Sequence, residues 1–331
     1  MSWLPTSVSG RIYTALLLLL AAAPWIILWA DQPFLLDLLS RGLILAIATI
    51  SLNLILGYGG MVSLGHAAFI GIGAYCVGIP AYYDIYNGWI HLLLTIVVSA
   101  AFALVTGTIC LRTKGVYFIM ITLAFSQMVY FTFVSLEEYG GDDGLVIYLR
   151  SDFPAFMTMD GPVALYYWIF GVLLLALLLV HRLVHARFGR VIVGSKFNDE
   201  RMQSLGFNTY RYRLACYVIS GVICGIAGML LGNFTSFISP EMMSWIRSGE
   251  LIFMVVMGGT GSLFGPLMGT GAFVFLEQYL PEFMKLLRES WLEYWHLPFG
   301  LLLVALVLFG KGGIHGMLTR LDARRGRTES D

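Results

Sequence analysis

The stretch GYGGMVSLGHAAFIGIGAY, Gly57–Tyr75, breaks an otherwise apolar region with glycines, a serine and a histidine. A helix that crosses lipid on its own is normally smoother. A related phrase, GGTGSLFGPLMGTGAF, stands at Gly258–Phe273. Gly59-Gly60 aligns with Gly258-Gly259, and Ser63-Leu64 with Ser262-Leu263. After a one-residue gap, Gly71, Gly73, Ala74 and Tyr75 align with Gly269, Gly271, Ala272 and Phe273. Glycine-broken segments repeated at matching positions point to a transport site, because broken helices expose backbone amides and carbonyls to a cavity. Close packing of small residues explains the same pattern without a pathway. On the transport reading, Gly59, Gly60, Ser63, His66, Phe69, Tyr75, Gly258, Gly259 and Ser262 are the candidate pathway residues. Ser63 and Ser262 equally suit caps for the half-helices that follow, and His66 equally suits a hydrogen-bonded structural role.

The surrounding chain is built for lipid. Of 331 residues, 58% are hydrophobic and 12% charged, and the mean hydropathy is +0.81. A soluble domain carries roughly 25% charged residues, so a water-soluble core of this size could not hide so many apolar side chains. The formal net charge of zero gives no basic excess for nucleic acid. Cys76, Cys110, Cys216 and Cys224 lie in or beside apolar runs. Their spacing fits neither a zinc site nor a disulfide set, so they read as packing residues.

A crossing helix needs roughly 20 apolar residues. Spans are expected at 12–30, 35–56, 89–111, 116–136, 162–183, 213–236 and about 296–310, with glycine-interrupted regions at 63–83 and 249–280. Ile12–Ala30 lacks a small-residue cleavage site and reads as a retained helix. Lysine and arginine crowd 182–213, the link at Arg112 and Lys114, and the tail from Lys311. Those parts belong inside, while the acidic loop 137–160 belongs outside. The fold class is therefore an all-α polytopic membrane protein with roughly nine or ten transmembrane helices. It contains glycine-broken or re-entrant segments in an internal repeat, and both termini are cytoplasmic. Residues 1–316 form one membrane domain, with an inside loop at 184–212 and a polar tail at 317–331. Asp37 and Arg41, four apart, are placed to pair with one another.

The inside loop contains KFNDERMQSLGFNTYRYR, residues 196–213. Asn198 can cap a short helix over 198–206, Asp199 and Glu200 suit its first turn, and Gly206 can end it. Phe197, Met202 and Leu205 offer apolar contacts, and Arg201 a polar one. So short a helix needs something to pack against, either its own membrane domain or a separate cytoplasmic protein.

These phrases together resemble the permeases of branched-chain amino acid ABC importers, closest to the LivM type. The family's G-x-x-G-x-x-SLGHAAFxGxGAY phrase is similar to Gly57–Tyr75, and its GG-x-x-GL loop to GGDDGL at 140–145. FGR at 188–190, SP at 239–240 and GGTGSLFGPLMG at 258–269 follow in the family's order. The family's E-A-A-x-x-x-G loop is met by Glu200 and Gly206, with Arg201 and Met202 in place of the alanines and Lys196 where an arginine is usual. The resemblance implies a multi-pass subunit of the bacterial inner (plasma) membrane. Its implied partners are a second, LivH-like permease, two cytoplasmic ABC ATPases, a periplasmic or extracellular substrate-binding protein, and membrane lipid. Asn198, Asp199, Glu200, Arg201, Met202, Leu205 and Gly206 would form the coupling helix. No catalytic or metal-binding residue and no cofactor is expected in this chain. ATP and Mg would be used by the partner ATPases, since no G-x-x-x-x-G-K-[ST] occurs here. Similar permeases carry urea or other small polar solutes. A secondary transporter or channel is the alternative from another class, weakened by the scarcity of carboxylates deep in the spans.

Overall fold

The computed structural model describes residues 8–29, 32–153, 159, 161–287, 296–309 and 312–317. Most of the tail at 317–331 therefore lies outside the described residues. The chain runs through α1 (Val8–Trp29), α2 (Pro33–Asn53), α3 (His66–Tyr82), α4 (Gly88–Cys110), α5 (Val116–Val134) and α6 (Pro162–His185). It continues through α7 (Arg187–Phe197), α8 (Asp199–Ser204), α9 (Thr209–Thr235), α10 (Trp245–Gly258), α11 (Gly265–Leu287) and α12 (His296–Phe309). A π-helical turn, Leu54–Tyr58, prolongs α2. Two short strands, β1 (Leu145–Val146) and β2 (Phe237–Ile238), pair antiparallel. They bring GGDDGL and the SP at 239–240 to one end of the molecule, here called the hairpin end.

Among the described residues, six helices are long and apolar enough to cross a membrane: 12–29, 33–58, 88–110, 116–134, 162–185 and 209–235. The chain is thus a multi-pass membrane protein. The expected nine or ten crossings include segments that do not reach that standard. α3 has 17 residues and α10 only 14. α3 is surrounded by protein, with the residues from His66 to Gly78 buried, so the glycines of this helix are sheltered from lipid.

α4 shows why the bundle holds together. His91, Thr95, Ser99 and Thr106 are buried along one face, while Leu93, Val97 and Leu104 are exposed. Lipid accepts the outer apolar face, and the small polar face meets α9 and α3. α9 crosses α3 with backbone touching backbone. A Cβ added to Gly73 would lie 1.9 Å from the Gly225 carbonyl oxygen, and one on Gly228 would lie 1.9 Å from that of Ile70. The missing side chain of Gly221 leaves room for the Phe69 ring. All four cysteines are free and buried.

Both described chain ends lie at the end opposite the hairpin. Tyr13 of α1 hydrogen-bonds His315 and stacks on Phe264 at 4.4 Å.

Gly228→Val should abolish monodisperse folded protein, because overpacking against a fixed backbone costs about 1–3 kcal/mol or more. Gly171→Val on α6, with open space around it, should behave as wild type in the same size-exclusion and thermal-melting measurements.

Candidate functional site

The two glycine phrases meet. A Cβ on Gly57 would lie 2.4 Å from the Gly261 nitrogen, so the chains touch through bare backbone. Asn53, on the last turn of α2, clamps the contact from one side chain. Its Nδ2 donates to the Ser262 carbonyl at 2.8 Å, and its Oδ1 accepts from the Gly261 amide at 2.9 Å. One turn earlier, the Thr49 and Thr270 hydroxyls are 2.9 Å apart.

Aligned positions in the phrases share local geometry. Gly60 and Gly259 both have positive φ, 68° and 113°. Ser63 Oγ accepts from the Gly65 amide at 3.3 Å, and Ser262 Oγ from the Gly265 amide at 3.0 Å. Both serines therefore serve the start of the next helix. The α10 side chain Ser248 adds a further cap, accepting from the Ala67 amide at 2.9 Å.

His66 is fully buried where α2, α3 and α9 converge. Its Nε2 lies 2.9 Å from Ser51 Oγ. The Ser51 hydroxyl gives its proton to the Ala48 carbonyl, and the Ser220 hydroxyl gives its own to the Ser51 carbonyl. His66 Nε2 must therefore donate, leaving Nδ1 as a bare acceptor, and Nδ1 has no partner among the described residues.

The candidate pathway residues do not line one channel. Gly59 and Gly60 face a cavity of about 190 Å³ shared with Lys114, Lys196 and Arg213. Gly258 packs against Gly265, and Gly259 against the Gly312 carbonyl. Phe69 sits among Phe102, Tyr217 and His66. Tyr75 lies 4.2 Å from the Phe133 ring and borders a separate, apolar cavity between α3, α4 and α5.

The short inside helix is present as α8. Asn198 caps it through the Arg201 amide at 2.9 Å, and Gly206 follows it with φ 86°. Asp199 pins it to the membrane domain. Its carboxylate accepts from Lys114 at 2.8 Å and lies 3.4 Å from the Arg213 guanidinium. Partial burial works against that charge, yet Lys114, Thr209 and Arg213 hold the carboxyl below its ordinary range. Met202 packs over Gly194. Phe197 and Leu205 do not pack inward as Met202 does. They are 82% and 64% exposed.

Two features escape sequence reasoning. α7 is a separate helix, burying Gly189, Val191, Ile192 and Ser195. At its end, Lys196 Nζ donates to the Gly57 carbonyl at 2.7 Å and its stem lies against Gly60. The cytoplasmic-type segment is thereby bonded to the first glycine phrase. The expected Asp37–Arg41 pair is also corrected. Arg41 instead reaches Glu277 of α11 at 3.1 Å, an oriented carboxylate on a packed neighbour.

Residues 34–307 match the family described as the branched-chain amino acid transport system permease component. The chain belongs to that family. Its relatives place this permease with the LivM type. The high-affinity branched-chain amino acid transport system permease protein LivM of Salmonella typhimurium is 27% identical over 301 residues, covering 84% of this chain and 69% of the relative. The protein of the same description from Escherichia coli K12 is 25% identical, covering 93% and 76%. A probable branched-chain amino acid transport permease protein LivM of Methanocaldococcus jannaschii is 24% identical, covering 81% and 89%. No solved structure matches the chain.

Two outcomes are expected. Asn53→Ala strands the buried Ser262 carbonyl, at about 1–3 kcal/mol for an unpaired buried group, and releases the more exposed Gly261 amide. The melting temperature of the purified permease in nanodiscs should fall accordingly. Asp199, with its folded pKa lowered, contributes stability above the unfolded value of about 3.9 and loses it as pH falls through the folded value. Intrinsic-rate-corrected amide exchange in α8 should stay flat from neutral pH to about 4.5 and rise below about 4. Asp199→Asn should remove that dependence.

Proposed function

We propose that this permease forms half of the translocation pathway of an ATP-binding-cassette importer in the bacterial inner membrane. Its cargo is branched-chain or other hydrophobic amino acids. The observation that carries the reading is the double attachment of α7 and α8. On one side, Lys196 and Asp199 bond them to the first glycine phrase and to the α4–α5 link. On the other, Phe197 and Leu205 stand open to a separate protein. Exposed apolar side chains on a basic, short-helix segment suit a protein groove rather than water.

In this reading α8 is the coupling helix. ATP and Mg are bound by two partner ATPases, whose closure displaces α8 and, through Lys196, the Gly57 carbonyl. The glycine phrases then act as hinges, and the membrane helices alternate between inward-open and outward-open states. A second permease chain completes the pathway, and a substrate-binding protein delivers cargo at the hairpin end.

The test uses the assembled importer in nanodiscs. Phe197→Ser combined with Leu205→Ser should lower substrate-stimulated ATP hydrolysis at least roughly tenfold, since each buried anchor lost costs about 1 kcal/mol or more. The permease alone should melt as wild type, because neither side chain is packed in it. Full retained stimulation, or a permease that captures no ATPase, would overturn the proposal.

A further inference from the structure

A second cavity, of about 250 Å³, opens near the hairpin end between α2, α9, α10 and α11. Two ion pairs edge it: Arg41–Glu277 joins α2 to α11 at 3.1 Å, and Arg247–Glu250 lies along α10 at 2.9 Å. Glu277 is also within Coulombic reach of Arg247, so the pairs form one cluster. Its floor and walls are aliphatic, supplied by Leu45, Ile70, Leu231 and Leu251.

Two properties separate this cluster from a structural clamp. The first is unused hydrogen-bonding capacity. Arg41 engages Glu277 through Nη2 alone, and Arg247 engages Glu250 through Nη1 alone. Each guanidinium has five N–H donors, so both retain donors with no partner among the described residues. Glu250 uses only Oε2 and keeps Oε1 free. The second is accessibility. Between 28% and 43% of these side chains is exposed, so partners can exchange without the penalty of stripping a buried ion.

Among the residues that line the cavity the charges sum to zero, two guanidinium groups against two carboxylates, with Glu241 a further carboxylate within Coulombic reach of Arg247. Such a site selects neither anions nor cations as a class, but it offers fixed partners to both ends of a dipolar molecule. The adjoining aliphatic wall offers burial to an apolar side chain. We infer that this cavity is a binding site for a zwitterionic aliphatic α-amino acid within the membrane domain. The free donors of Arg41 and Arg247 receive the α-carboxylate, Glu250 Oε1 receives the α-ammonium, and the aliphatic wall receives the side chain. The inference rests on the amino-acid import reading above and assigns that substrate a place in this chain.

Met242, which also lines the cavity, provides a reporter position. In the assembled importer in nanodiscs, mixed-disulfide formation at Met242→Cys with a methanethiosulfonate reagent, which releases methanesulfinate, is followed by peptide mass spectrometry. Leucine should slow it at least about fivefold at saturation, as a ligand filling a site of this kind shields most of its lining. The probes 4-methylpentanoate and isoamylamine, which lack the ammonium and the carboxylate respectively, and urea, which lacks all three recognised groups, should not. Arg247→Gln or Glu250→Gln, each in the reporter background, should raise the leucine concentration for half protection roughly tenfold, the loss of one charge-assisted bond. A leucine-dependent rise in melting temperature of the otherwise wild-type importer, not reproduced by the three probes, gives the same answer if a charge variant fails to fold. Equal protection by 4-methylpentanoate or isoamylamine overturns the inference, and so does the absence of both protection and thermal shift. If leucine still stimulates ATP hydrolysis in that last case, only this site is wrong. If it does not, the import reading fails as well.

Discussion

A helix that stops inside an apolar environment exposes amides and carbonyls that lipid cannot satisfy, each at a cost of several kcal/mol. This chain ends α2 at Gly57–Gly60 and α10 at Gly258–Gly259, where Gly57, Gly59, Gly258 and Gly259 are buried in protein, and starts α3 and α11 close by. Much of the polar chemistry around them answers that one demand. Ser63, Ser262 and Ser248 each accept an amide at a helix start. Lys196 donates to a carbonyl at the end of α2. Asn53 serves an amide and a carbonyl at once. That dual role is available because an amide side chain carries both donor and acceptor, and because Gly57 and Gly261 let the backbones come close enough to be spanned.

The same bonds give the molecule a mechanical axis. α2 and α11 are joined by Arg41–Glu277 toward the hairpin end, by Thr49 and Thr270 in the middle, and by Asn53 at the glycine contact. α7 then attaches to α2 one turn beyond Asn53. Under the proposed function, a displacement of α8 enters at Lys196 and meets a pair of helices already fastened along their length. The glycines supply hinges, but the fastening decides which elements move together. α9 packs on α3 at Gly225 and Gly228 and is bonded to α2 as well, where the Ser220 hydroxyl donates to the Ser51 carbonyl.

The sequence makes some of this legible. Glycine repetition, the serines and the Asn198-to-Gly206 helix all depend on residues near one another in the chain, where spacing carries the information. The apolar runs likewise reveal most of the long helices. Asn53 is silent by comparison, a single polar residue at the end of an apolar run whose partners lie 208 and 209 residues away. Lys196 reads as one cation among many in a basic loop. The charge pattern that orients the loop hides the amphipathic α7, whose buried positions include two residues, Gly189 and Ser195, that carry no hydrophobic signal. Arg41 looks paired with Asp37 for the same reason. Sequence displays the neighbour four positions away, while the actual partner is 236 positions distant.

His66, Ser63 and Ser262 are the polar groups that first suggest contact with cargo, and each also has a structural hydrogen bond. The His66 donor is taken by Ser51, the Ser51 and Ser220 protons go to backbone carbonyls, and both phrase serines are committed to amides. A group already needed to satisfy a broken helix cannot turn to a solute without exposing the amide it leaves. Under the proposed function, recognition draws on groups with spare capacity, and the bare Nδ1 of His66 is one of them. The groups around the second cavity have it as well: guanidinium donors and a carboxylate oxygen that no helix end requires. On the proposed reading, polar atoms at the glycine breaks are committed largely to structure, while the charged cluster keeps donors and an acceptor for cargo.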